Sequence, residues 1–133
     1  MMVYLLDTHV WIWMTSDEQR LGPITRSVLE DPANAVLLSA ASSWELALKC
    51  QLGKIELPAP PSVFVAAHLR LQGIAPLAVD HAHALAVGDL PVVRHADPFD
   101  SLLVAQARVM GLTLVTADDK LFEYDIETLD ARN

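Results

Sequence analysis

Apolar residues along this chain fall into short unbroken runs, separated by stretches with helical spacing. Val3-Tyr4-Leu5-Leu6 is the first run, rich in strand formers and cut off by Asp7-Thr8. Residues 10–14 are apolar before the turn-like Thr15-Ser16-Asp17, which predicts a short helix. Pro23 and Asp31-Pro32 bracket a second helix over 24–30. Ala35-Val36-Leu37-Leu38-Ser39 is the next continuous run. Ser42-Ser43-Trp44-Glu45 opens a helix carried on by Leu46, Ala47, Leu48 and Cys50, with Gly53 where a helix C-terminus favours glycine. A proline-rich loop over 57–61 precedes a helix over 62–72 that stops at Gly73. The run over 74–79 contains Pro76, which confines it to an edge or a weak strand. Residues 80–87 read as helix, followed by Gly88 and a loop around Pro91. Asp97-Pro98-Phe99-Asp100 begins the strongest helix, which Leu102, Leu103, Ala105, Gln106, Val109 and Met110 continue to Gly111. A strand over 112–115, a short helix over 118–122 and a strand over 126–129 complete the chain.

Unbroken apolar strands alternating with helices predict a mainly parallel sheet with both faces covered. The expected fold is an α/β three-layer sandwich with about five short strands, forming one domain over residues 1–133. A length of 133 residues suits one domain with its own core. Apolar residues make up 53% of the chain, which excludes disorder for most of it.

Charge narrows the function. Seventeen acidic against nine basic residues leave a net charge of -8. A protein that holds nucleic acid by neutralising phosphates alone is normally basic. Either nucleic acid is not the partner, or a bound cation, a partner chain or a local basic patch supplies positive charge. The single cysteine, Cys50, excludes an internal disulfide and a cysteine-based zinc site, and suits a reducing cytoplasm. Cys50 itself reads as a small buried apolar group. No apolar run approaches 18 residues, so no membrane span is expected. Asp7 interrupts the apolar start and no basic segment precedes it, which argues against a signal peptide.

Candidate chemistry lies at the strand ends. Asp7 follows the first strand, Glu45 lies one turn into the helix after the second, and Asp118 follows the fourth. Asp100 sits in the first turn of the helix leading into that fourth strand. Sites in open α/β sheets collect beyond the carboxyl ends of the strands, so four acids from four segments can converge there. Each acid also has a plain structural role open to it. Ser42 and Glu45 fit a capping box, and Asp97-Pro98 fits an N-cap followed by proline at the first helical position. Asp100 then lies where the helix dipole favours an anion, and Asp118 fits the cap of a short helix. Collectively the acids carry more. Two carboxylates ~5 Å apart repel by roughly 3 kcal/mol at an effective dielectric near 20, so a cluster of three or four calls for a cation among them. Oxygen-only ligands suit magnesium or manganese.

The segments LLDTHVWIW, SSWELALKCQLGKIEL, HADPFDSLLVAQA and LVTADDKLF, in that order, resemble the four signature segments of PIN-domain ribonucleases, most closely the VapC toxins of toxin–antitoxin pairs. The resemblance spans essentially the whole chain. It implies a PIN fold and magnesium-dependent cleavage of RNA. It puts the family's acids on Asp7, Glu45, Asp100 and Asp118. Asp7, Asp100 and Asp118 would hold the metal, Glu45 would complete the pocket, and Thr116 beside Asp118 would meet substrate. It also implies an antitoxin partner and a homodimer. One departure stands out: toxins of this type usually carry arginine directly after Asp100, and this chain has Ser101.

Other residues read two ways. Lys49 either pairs with Glu45 four residues earlier or faces the cleft and meets phosphate. His95 suits a loop role, and Asp97 a cap or a rim acid. His81 and His83, two apart on a helix, make a poor metal pair. Trp11, Trp13 and Met14 suit core packing, or an exposed groove that receives an antitoxin helix. The competing function is a receiver-like domain that binds magnesium and accepts phosphate on an aspartate. It needs paired acids after the first strand and a lysine after the last. Asp7 stands alone before Thr8-His9, and residues 126–133 hold no lysine.

Overall fold

Each of the five apolar runs forms a strand, and every strand pair is parallel. The structure, a computed structural model, describes residues 2–133. The strands are β1 (Val3–Leu6), β2 (Ala35–Ser39), β3 (Ala75–Leu77), β4 (Thr113–Thr116) and β5 (Thr128–Asp130), in the order β3-β2-β1-β4-β5. The helices are α1 (Thr8–Ser16), α2 (Pro23–Glu30), α3 (Ala40–Gln51), α4 (Pro61–Gln72), α5 (His81–Ala86) and α6 (Pro98–Met110). A short 3-10 turn over Asp119–Glu123 stands where a last helix was expected. Pro76, which lacks the N–H that a central strand needs, lies on the edge strand β3.

Period-two alternation divides the strands between two cores. Tyr4, Leu6, Val36, Leu38 and Val115 face one side, against Trp11, Leu46, Val65 and Leu69. Leu5 and Leu114 face the other, against Leu103, Val104 and Ala107 of α6. Both sheet faces are covered, which is why the strands read as unbroken apolar runs. The C-terminus is tucked in tightly: a Cβ on Gly22 would collide with the carbonyl of Asn133, so only glycine fits there.

Three expectations need correction. Trp11 is completely buried; its Nε1 donates to Gln72 Oε1 at 2.9 Å and its ring meets Phe64 edge-on. It is core, and cannot line an antitoxin groove. Helix α3 begins one turn early because Ser39, not Ser42, caps it, accepting from the Ala41 amide at 3.0 Å. Ser42 is therefore interior and takes a hydrogen bond from Thr8 Oγ1 at 2.8 Å, so no capping box joins it to Glu45. Cys50 is half-buried rather than buried.

The strand order sets up the site. The chain runs outward from β1 in both directions, so the order reverses between β1 and β4. A crevice opens beyond the carboxyl ends of such a pair. Asp7 follows β1 directly, and its amide donates to Val115 O at 2.9 Å, which locks the two strand ends together.

Candidate metal centre

Four segments deliver acids to that crevice, an open cleft of about 1030 Å³. Asp7, Glu45, Asp100 and Asp118 all line it, as do Lys49 and Asp97. Burial of the apolar strand β1 carries Asp7 inward, leaving it 5% exposed. Thr116, at the end of β4, holds it there: its Oγ1 donates to Asp7 Oδ2 at 2.7 Å and accepts from the Asp118 amide at 3.0 Å. One hydroxyl thus fixes both strand-end acids. Thr116 was expected to meet substrate, but it is completely buried and its hydroxyl is engaged on both sides, so its part is to position.

Asp97 caps α6, accepting from the Phe99 amide at 2.8 Å and the Asp100 amide at 3.3 Å. Pro98 takes the first helical position, and Asp100 follows in the first turn, where partial positive charge favours a carboxylate. Asp97 is therefore both cap and cleft wall. Asp118 caps the 3-10 turn by accepting from the Lys120 amide at 3.0 Å. Capping and pocket roles coincide in these acids.

Electrostatics mark the acids as one cluster. Burial pushes the Asp7 carboxyl above its usual range, against the bond from Thr116, and the charges of Glu45 and Asp118 add to the rise. Burial likewise raises Asp100 to about 7, reinforced by Asp7, Asp97, Glu45 and Asp118. The raised carboxyls of Asp7 and Asp100, among further acids in one cleft, mark a site primed for positive charge.

The donors fit a hard cation. Every acid offers oxygen, and the bond from Thr116 occupies only one of the two carboxylate oxygens of Asp7, Oδ2. Among the described residues no three His, Cys, Asp or Glu side chains stand close enough together, as placed, to hold a metal ion between them.

Sequence reasoning missed several cleft residues. His9 lines the wall close enough to favour the anionic form of Asp7. Arg94, His95 and Lys120 stand at the rim, and His95 adopts a left-handed φ of 59°. Residues 94–95 and Lys120 lie far apart in the sequence, and only the fold brings them to one cleft. Ser101 also faces the cleft, so the position without arginine is part of the site.

A profile of the PIN domain matches residues 4–127. The chain belongs to the PIN-domain family. Ribonuclease VapC22 of Mycobacterium tuberculosis is similar to this PIN domain over 124 residues, at 34% identity and 91% of each chain. Ribonuclease VapC16 of the same organism is 48% identical over 59 residues, 44% of this chain. That match spans only 42% of VapC16. VapBC2 from Rickettsia felis, bound to a promoter DNA fragment, superposes with a TM-score of 0.66 at 18% identity. The superposition covers 97% of this PIN domain and 100% of that chain, and at such identity it speaks for the fold. The parallel five-stranded sheet expected from the apolar runs is thus the PIN fold.

Proposed function

We propose that this PIN domain is a divalent-metal-dependent endoribonuclease, the toxin of a toxin–antitoxin pair, with magnesium as its ion and manganese as a substitute. The observation that carries this is the delivery of Asp7, Glu45, Asp100 and Asp118 by four separate segments to one cleft. Relatives named as VapC ribonucleases support the same reading.

Asp7, Asp100 and Asp118 would hold the ion. A divalent cation in that position lowers the pKa of water and neutralises phosphate oxygens. It also answers the charge problem, since a chain of net charge -8 needs local positive charge to receive a polyanion. Thr116 keeps Asp7 aimed, and its hydroxyl ties Asp7 to the backbone of Asp118. Glu45, buried on α3, would complete the wall of the pocket. Arg94 and Lys120 at the rim give the RNA backbone cationic contacts outside the acidic floor.

Two partners accompany the proposal: a cognate antitoxin protein and a second copy of this chain. Trp11 being core, an antitoxin approaching α1 would meet Trp13, which is half-buried, lines the cleft and carries Arg20 over its ring at 5.5 Å. Among the described residues no helix is long and apolar enough to cross a membrane.

The receiver-like alternative is disfavoured by the residues it lacks. A receiver needs a second acid beside the first-strand aspartate and a lysine after the last strand, and here Asp7 is followed by Thr8-His9 and residues 126–133 hold no lysine. The test is incubation with mixed cellular RNA in magnesium, followed by sequencing of the ends. Discrete cleavage at a restricted set of sites supports the nuclease. Intact RNA, together with a stable acyl phosphate after treatment with a small phosphodonor, would favour the receiver.

A further inference from the structure

The four acids differ in their partners. Glu45 is 3% exposed, and its Oε2 accepts from Lys49 Nζ, one turn further along α3. Among the described residues neither Asp7, Asp100 nor Asp118 forms an ion pair of that kind. Lys49 lines the same cleft and lies within the field of Asp97 and Asp100. Helix geometry fixes this pair, because residues four apart stack on one face, and here that face is the cleft wall.

With Oε2 of Glu45 held by the ammonium, a metal reaching this carboxylate must either share it with Lys49, setting a dication within a few ångströms of a like charge, or displace the lysine. Displacement would leave a lysine charge unpaired beside a dication. Burial sharpens the choice, since Glu45 has little access to water as a substitute partner.

We propose that Lys49 is a built-in counter-ion that holds Glu45 out of the metal's coordination sphere, so that the cleft takes one divalent ion, on the side of Asp7, Asp100 and Asp118. Lys49 is a positioning residue here: it acts through Glu45. This rests on the metal-dependent nuclease reading above and adds the number of ions and the residue that sets it.

Manganese alone is the probe, counted by the loss of its free-ion paramagnetic resonance signal on titration into the full chain. Wild type is expected to bind one Mn2+ per chain. Lys49→Met is expected to bind the first ion about tenfold more tightly, the effect of removing one unit charge ~6 Å from a dication in well-solvated surroundings, and to take up a second. Lys49→Arg should match wild type. Lys49→Met leaves Glu45 buried and unpaired, which can unfold the protein. The neutral pair Glu45→Gln/Lys49→Met removes both charges together and is expected to fold and bind one ion within about threefold of wild type. The proposal is overturned if the double variant loses tenfold or more in affinity, which would make Glu45 a ligand. It is equally overturned if folded Lys49→Met keeps the wild-type count and affinity, even if its RNA binding weakens, which would make Lys49 a phosphate contact only. If wild type binds no Mn2+, the metal-dependent reading itself fails, a result distinct from both.

Discussion

Thr116 Oγ1 donates to Asp7 Oδ2 at 2.7 Å across the ends of two neighbouring strands, and the same oxygen accepts from the Asp118 amide. A residue that touches no substrate thereby sets the spacing of two acids 111 positions apart in sequence. Thr116→Val keeps the shape and removes the hydroxyl. Loss of such an outer partner typically weakens a metal site by about 10–100-fold. We expect a drop of that size in both Mn2+ affinity and RNA cleavage, with Thr116→Ser restoring most of each. Circular dichroism should report an intact fold for both variants.

Asp100→Asn should abolish cleavage and make the metal-free protein more stable at pH 8. The folded carboxyl titrates at about 7, well above an ordinary aspartate. Its contribution to stability is therefore complete below about pH 4 and is lost as pH rises through 7. At pH 8 the ionised group costs the folded protein on the order of 1–2 kcal/mol, after allowing for solvent at the cleft mouth. Asparagine removes that cost. The variant should melt about 3–6 °C above wild type at pH 8 and close to it at pH 5, as read by thermal denaturation in EDTA.

Metal binding should release protons. Because Asp7 and Asp100 both hold their protons to higher pH than free carboxyls, a cation must displace them. Apparent Mn2+ affinity should rise with pH up to about 7 and level off above it. Isothermal titration at pH 6 in buffers of different ionisation enthalpy should give buffer-dependent heats, and at pH 8 nearly buffer-independent ones.

The two tryptophans of α1 should separate cleanly. Trp11 is completely buried against Leu6, Val65 and Phe64, so Trp11→Ala should cost about 3–5 kcal/mol of stability. Trp13 is half-buried at the cleft, and Trp13→Ala should lower the melting temperature far less. Chemical denaturation of the two variants checks both.

What the sequence revealed, and what it hid, follows from the range of each signal. A strand buried on both faces has no room for a charge, so Asp7 stood out against Val3–Leu6 as soon as the run broke. The same contrast marked Asp118 after β4, and Asp97-Pro98 announced the start of α6 by local capping chemistry. Helix α3 misled because Ala40 and Ala41 continue a helix silently, hiding the cap at Ser39 behind the more conspicuous Ser42 and Glu45. Trp11 and Trp13 are two apart and point to different faces, and spacing alone cannot say which face meets the core. The Lys49–Glu45 pair was visible as an i,i+4 spacing. That it lies in the cleft depends on the strand order, which sets α3 beside α1 and α6. Arg94, His95 and Lys120 gather only through that long-range topology and left no local mark.

Cleavage of RNA by purified wild-type protein and by Asp7→Asn, each with magnesium and with excess EDTA, is the most direct measurement. Cutting by wild type in magnesium alone, with none in EDTA and none by a folded Asp7→Asn, is the predicted result. Undiminished cutting by wild type in EDTA, or by Asp7→Asn in magnesium, would contradict it.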